Sequence, residues 1–505
     1  MSHRLIEATF WRACQNQALN LRGRSFYSYN ARSLEALLAK SGQSASKPAP
    51  QFWLLAAFLI VVFMTGGASR IDVQSLPILR PFSVLMCAIA LMSFRMHHLD
   101  GRRSLFAAFA IALVLSLAHV IPLPPSIWQA LPGRGELIAV DSLTGLKDQW
   151  RPLTIAPANG WHAFTSLFTA LGVLLLGVQL GREDLRRLLP LVIVLGAVSG
   201  LVGLLQVISD PHGPLYFYRI TNNGSAVGLF SNRNHAATLL ACLFPLLAVY
   251  ASMATGTEDQ IRARQLLSAS VAIVLVPLIL VTGSRSGLIS GVLGLVAAGL
   301  IYRRPADGRK VRRGDARKSI GAVPILGGIA AISLGFLTFF FSRAVAIERL
   351  FDETANVSRI DYWALSVDMF WKYFPWGSGS GSFVEAFLIV EPTNQLAAVY
   401  VNRAHNDWIE TAVTFGLPGL LLLACSVVLF LVQGYRIWAV ADGGSRSFAL
   451  ARAASAAILI VAIASLSDYP LRTPTMMSLF ALFLLWFSNA RSEHDQVSYL
   501  QERGA

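Results

Sequence analysis

Charge is scarce in this sequence. Only 14% of its 505 residues are Asp, Glu, Lys or Arg, against about 25% in a typical soluble chain. That deficit excludes a soluble domain. Cysteine is nearly missing too: Cys14, Cys87, Cys242 and Cys425 lie in the N-terminal tail or inside apolar runs, which excludes a disulfide framework. Metal-ligand patterns are also missing. There is no Asp-x-Asp, no His-x-x-x-His and no Cys pair with ligand spacing, and the only Glu-x-Asp (Glu493, Asp495) falls in the C-terminal tail. No metal and no cofactor are therefore expected. The Arg-rich start contains no short apolar segment ending in a small-residue cleavage site, so no removable leader is expected and the first apolar run is read as an anchor.

What the chain has in abundance is apolar length. Runs of about 17 to 25 residues recur, each able to cross roughly 30 Å of hydrocarbon as a helix. They predict an all-α polytopic membrane protein of about twelve spans, near 52–67, 81–95, 104–121, 161–180, 188–208, 235–254, 266–283, 286–302, 319–341, 409–432, 452–467 and 475–489. The formal charge of +14 collects on one set of connectors, chiefly 95–103, 181–187 and 303–318, while the opposite set is nearly balanced. This is the positive-inside bias. It argues against a nucleic-acid surface and puts both termini in the cytoplasm. The stretch 266–302 would be roughly 55 Å long as one helix, too much for one crossing. It must fold back at Ser284-Arg285-Ser286-Gly287, where the arginine can reach water and the glycine can turn.

The frame divides the chain into a cytoplasmic tail (1–50), a transmembrane domain (51–490) and a second cytoplasmic tail (491–505). Its longest outward segment, 342–408, joins spans nine and ten. There Ile360, Trp363, Val367, Phe370, Trp371 and Phe374 recur at helical spacing, predicting an amphipathic helix that lies either along the membrane interface or on its own loop. Outward helix ends gather Arg219, Arg233, Arg285, Arg343, Arg359 and Arg403. Arginine presents a fork of donors matched to phosphate oxygens, though at a helix end it commonly serves as an anchor. Arg285 stands apart because a four-residue turn between two apolar spans has little need of one. His405, within Asn402-Arg403-Ala404-His405-Asn406-Asp407, is either a general base or the neighbour of a capping Asn406 or Asp407. His235, after Asn234, carries the same two readings. Asp352, Glu353, Asp361 and Asp368 read as solvated loop faces. The Gly377 to Phe383 run (GSGSGSF) lacks the strand and the Lys-Ser/Thr ending of a phosphate loop and reads as a turn against a helix or ligand.

Taken in order, these segments resemble the O-antigen ligase and polymerase superfamily of bacterial envelope glycosyltransferases. The resemblance is carried by GLFSNRN (228–234), TGSRSG (282–287), Arg359 with PWGSG (375–379), AHNDWIE (404–410) and FGLPG (415–419), across about 228–425. It implies a C-type glycosyltransferase-like membrane fold in the bacterial inner membrane, its active site facing the periplasm. It implies transfer of a glycan from an undecaprenyl diphosphate carrier, without nucleotide sugar or metal, to lipid A-core (a ligase), another carrier-linked glycan (a polymerase) or a protein (an oligosaccharyltransferase). It assigns His405 to activation of the acceptor hydroxyl and Arg285 to the carrier diphosphate. Arg233, Arg219, Arg359, Arg403 and Asn234 become candidates for binding diphosphate or glycan. The competing class is a transporter or flippase, which would carry ionisable residues in mid-membrane and paired broken helices; the spans here hold almost no such charges.

Overall fold

The computed structural model describes residues 47–305, 354–393, 400–439 and 446–503, with side chains from 362 and 448 onward in the second and last blocks, and to 490. The N-terminal tail to residue 46, the expected span 319–341, Arg343, Asp352 and Glu353 lie outside the described residues, and so do the side chains of Arg359, Ile360 and Asp361.

The apolar runs form helices α1 (Pro50–Thr65), α2 (Leu76–Ser93), α3 (Arg103–Ala118), α4 (Pro157–Val178), α5 (Arg182–Ile208), α6 (Arg233–Ser252), α7 (Glu258–Val281) and α8 (Arg285–Ile301). After them come α9 (Thr354–Tyr373), α10 (Phe383–Val390), α11 (Asp407–Ala439), α12 (Arg446–Ala464) and α13 (Pro474–Arg503). A two-residue antiparallel ribbon pairs Pro122 with Pro152 and Leu123 with Arg151. Six helices (α2, α4, α5, α6, α7 and α11) are long and apolar enough to cross a membrane, and five more apolar helices of 10–17 residues accompany them. Eleven of the twelve expected spans thus coincide with helix. Several helices overrun their apolar windows, because helix ends are set by caps rather than by hydropathy. α7 starts eight residues before the window at 266, at a capping box: Thr257 Oγ1 accepts from Gln260 N–H (3.3 Å), and Thr257 N–H donates to Gln260 Oε1 (3.0 Å). α13 continues to Arg503, through most of what the sequence marked as tail.

Neighbouring helices alternate in direction. At one end, Arg102 before α3 donates to Asn489 Oδ1 on α13 (2.9 Å), and Trp486 Nε1–H donates to Leu185 O on α5 (2.9 Å). At the other end, Ser231 N–H before α6 donates to Gly67 O after α1, and Thr475 N–H on α13 donates to Gly66 O (3.1 and 3.0 Å). α6 is the hub, packed by α5, α7, α8 and α12. It meets α8 closely because a Cβ at Gly287 would lie 2.4 Å from Ala237 Cβ, and one at Gly294 2.5 Å from Ala241 O. Small residues at this spacing let two membrane helices approach backbone to backbone. The periphery is apolar and open: on α11, Leu421, Val428 and Leu431 are 57–60% exposed, a surface that water would not tolerate at this extent.

The fold-back between α7 and α8 turns at Gly283 (φ +60°), and Ser284 caps α8 by accepting from Gly287 N–H (2.9 Å). Gly287 is therefore a contact glycine, and the turn belongs to Gly283.

Candidate active site

The described ends of α6, α11 and the α12–α13 connector meet around one carboxylate, Asp468. Its Oδ2 accepts from Asn234 Nδ2 and, at 3.2 Å, from Asn232 Nδ2. Its Oδ1 accepts from Tyr469 N–H (3.0 Å) and lies 3.4 Å from His405 Nδ1 and 3.8 Å from His235 Nε2. Both imidazoles also face the Tyr469 ring, with centroids 5.0 and 5.1 Å away. Burial alone would push the Asp468 carboxyl up; the two histidines beside it outweigh that and hold it well below the usual carboxylate range.

Each group is delivered by a local sequence device. Asn232 is the N-cap of α6, accepting from Asn234 N–H (2.8 Å), so the cap is Asn232 and the His235 ring is left to face the carboxylate. Asn406 caps α11, its Oδ1 accepting from Trp408 N–H and Ile409 N–H (3.0 and 3.1 Å). His405, just before the cap, has φ +49°, the one described non-glycine residue in the left-handed region. A residue held there needs a reason in its surroundings. Trp363 Nε1–H bonded to Ala404 O (3.0 Å) and Asn406 Nδ2–H bonded to Leu466 O (2.9 Å) fix the backbone on both sides. The imidazole is 25% exposed, whereas His235 is 1% exposed.

Beneath the histidines lies a charge network. Arg472 Nε donates to Asp407 Oδ1 (3.0 Å), and its Nη2 lies 3.5 Å from Glu410 Oε1. Arg403 Nη1 donates to the same Glu410 oxygen (2.8 Å), and its Nη2 to Ser69 O (3.4 Å). Arg403 thus ties Glu410 to the backbone at Ser69. Arg219 is 77% exposed and pairs with Asp72 (3.0 Å) at the rim of a cavity of about 290 Å³ lined by Arg70, Asp72, Gln74, Phe217 and Tyr218. Arg285 is the first residue of α8, and that first turn packs on Ala237, two residues from His235. Arg233 opens α6, its N–H bonded to Asn222 Oδ1 (3.0 Å). The fold thus gathers His405, Asn234 and Arg403, and brings Arg285 and Arg233 to the same end of the bundle. Arg219 stands at a neighbouring cavity, and Arg359 falls in α9. Among the described residues, no three His, Cys, Asp or Glu side chains are arranged to hold a metal ion.

Asp468 and Arg472 did not figure among the residues singled out from sequence. The available signal is the one that singled out Arg285: charged residues in a connector of a few residues between two apolar runs.

The Gly-Ser run is a clasp. Ser378 N–H donates to Val413 O, Gly379 N–H to Thr414 O and Ser380 N–H to His119 Nδ1 (2.9, 3.0 and 3.0 Å), so these amides are committed to protein acceptors. The clasp seats at an interruption of α11, where Gly416 (φ +56°) leaves helical geometry and Leu417 N–H bonds to Pro375 O (2.8 Å). Gly379 (φ +104°) presses on Thr154: an added Cβ would sit 2.1 Å from Thr154 Cα. Gly379→Ala is expected to lose about 1–3 kcal/mol from backbone strain and a comparable amount from overpacking. A lower unfolding midpoint of the detergent-purified protein would show this; an unchanged midpoint would contradict it. α9 has one packed face, built on residues outside the apolar stripe. Met369 and Tyr373 are buried in a small core with Phe383, Phe387 and Val413, while Val367 and Trp371 face outward. Asp368 is exposed, as a solvated loop face should be.

Fold and site together define a multi-pass helical membrane protein with a polar centre at one end of its bundle. A family model described as O-antigen ligase matches residues 269–424, so this part of the chain is similar to that family, which supports membership of the O-antigen ligase superfamily. The matched stretch contains Arg285, Arg403 and His405 and ends before Asp468 and Arg472. Comparison with curated proteins finds no match.

Proposed function

We propose that this protein transfers a glycan from an undecaprenyl diphosphate carrier to lipid A-core, with His405 as general base and Arg285 on the diphosphate. The observation that carries this is the His405–Asp468 pair at the start of α11. With the proton on Nδ1, 3.4 Å from the carboxylate, the imidazole keeps its lone pair on Nε2, and the nearby anion stabilises the imidazolium formed when that lone pair takes a proton. The acceptor O–H gives its proton to Nε2 as the oxygen bonds to the anomeric carbon. The bond from that carbon to the diphosphate oxygen breaks, and the carrier leaves with the electron pair as its diphosphate. Arg285 meets the negative charge growing on that oxygen, and no metal is required. In this reading the helices cross the inner membrane twelve times, both termini are cytoplasmic, and the site faces the periplasm. The exposed apolar face of α9 rests at the membrane surface beside the lipid carrier.

Arg285→Lys is expected to lower transfer about 10²–10³-fold while the protein inserts normally, because lysine keeps the charge and loses the fork. A near-normal surface glycan profile would refute the assignment. The class of reaction is tested by gel analysis of surface glycans from a deletion strain. Loss of all long chains from an otherwise intact lipid A-core supports ligation. Core carrying single repeats would replace it with polymerisation, and unchanged glycans would overturn transfer to lipid A-core altogether.

A further inference from the structure

At the same end of the bundle as the two histidines, a cavity of about 290 Å³ lies between the α1–α2 connector and the segment before α6. Arg70, Asp72 and Arg219 line its polar side, and Met64, Phe217 and Ile220 its apolar side. Nothing in the proposed mechanism uses it. We propose that this cavity is an acceptor subsite, in which Arg70 and Arg219 take a phosphate group carried by the acceptor glycan. This rests on the reading of the acceptor as a lipid-borne glycan.

Asp72 holds the two guanidiniums in place. Arg70 Nε donates to its Oδ1 (2.9 Å), and Arg219 Nη2 donates to its Oδ2 (3.0 Å). The hydrogen bond from Arg70 keeps the Asp72 carboxyl below its ordinary range. The cluster therefore carries two cations and one anion, and one positive charge is left over in the cavity. Among the described residues Arg219 donates only through Nη2, so the rest of its fork is open to an incoming oxyanion. A phosphate monoester brings a charge of about −1.5 to −2 near neutral pH and three acceptor oxygens, enough for both guanidiniums. The volume is at the small end of ligand pockets, about 300–1,000 Å³, which suits one phosphorylated sugar ring and not a lipid chain. Met64, Phe217 and Ile220 are exposed, and an apolar wall beside a basic one fits a headgroup that arrives on a lipid. The cavity is also tied to the catalytic end of the fold. Arg70 Nη2 donates to Tyr400 OH (3.0 Å) and Arg403 Nη2 to Ser69 O (3.4 Å), in the run that carries His405. On the other side Gly67 O accepts from Ser231 N–H (3.1 Å), next to the Asn232 that donates to Asp468. A glycan held here is anchored a short stretch of chain from the base. The carrier diphosphate shares this chemistry; it is assigned to Arg285, and the test separates the two sources.

The first test is equilibrium binding of glucose 6-phosphate and of glucose to the full-length protein in detergent, which needs no turnover. Glucose 6-phosphate is expected to bind wild type about tenfold more tightly than Arg219→Gln or Arg70→Gln. That is the low end for a charge-assisted hydrogen bond, because solvent reaches the site. Glucose is expected to bind all three alike. Arg219 is exposed, so Arg219→Gln keeps the test intact should the Arg70 variant fail to fold. Equal binding of the phosphate by wild type and variants would overturn the proposal, as would its loss in Arg285→Lys instead. The second test is kinetic, in phosphatidylcholine liposomes with lipid-linked glycan donor and lipid A-core acceptor, the acceptor either intact or phosphatase-treated. Arg219→Gln is expected to raise KM about tenfold for the intact acceptor, with kcat, the donor KM and the KM for treated acceptor close to wild type. A rise in the donor KM instead would give the cavity to the carrier diphosphate and overturn the acceptor subsite. If glucose 6-phosphate binds as expected but wild type moves no glycan to lipid A-core, the proposed function falls and the cavity stands as a phosphate site.

Discussion

His405→Ala is expected to reduce glycan transfer about 10²–10⁴-fold, the range a positioned base contributes, while leaving insertion and unfolding temperature close to wild type. The structural cost is small because the side chain is a quarter exposed and the helix cap belongs to Asn406. The positive φ at His405 makes alanine about as strained as histidine, so the comparison isolates the imidazole. His405→Asn, which tolerates this backbone better, should be as inactive as alanine; activity in either variant measured in liposomes would remove the base from the mechanism. The acceptor hydroxyl would then have to lose its proton to some other group.

The second large effect is on stability. Arg472 bridges Asp407 and Glu410, whose side chains are 11% and 1% exposed. The attraction of those two carboxylates holds the Arg472 guanidinium above its ordinary pKa despite burial. Arg472→Met leaves two buried carboxylates with only Arg403 between them, and breaking a buried pair by removing one partner costs about 3–5 kcal/mol. The predicted signature is a sharply lower unfolding midpoint in detergent, with part of the loss recovered when Asp407→Asn is added to the same chain. If Arg472→Met unfolds at the wild-type temperature, Arg472 is not the strut of the site. Recovery in the double variant would set the charge imbalance apart from lost packing, which Asp407→Asn cannot restore.

Hydropathy located eleven helices well, because a run of apolar residues must become helix where water is absent. It misjudged their ends, as at Thr257, where a capping box starts the helix ahead of its apolar window, and at Arg503. The site was half legible. Arg285 could be singled out because a charge in a short turn between apolar spans is costly without purpose, and His405 because its run leads straight into an apolar helix. Arg403 stands in the same run as His405, and its pairing with Glu410 is visible only in the structure. Asp468 lies 63 positions after His405 in the numbering, and only packing of the α12–α13 connector against the start of α11 brings the two together. Likewise, the glycines at 377, 379 and 381 could be read as a loop, but the commitment of neighbouring amides to Val413, Thr414 and His119 is visible only in three dimensions.

The break at Gly416 separates two mechanical regimes within one helix. Upstream of it, adding a single residue would rotate the following turn by about 100° and swing Glu410 away from Arg403, dismantling the site. Downstream, Leu421, Val428 and Leu431 face outward, while Phe430 meets Phe487 on α13 and Trp438 bonds to Ser455 on α12, so the same insertion disturbs helix packing and leaves the contacts of Glu410 in place.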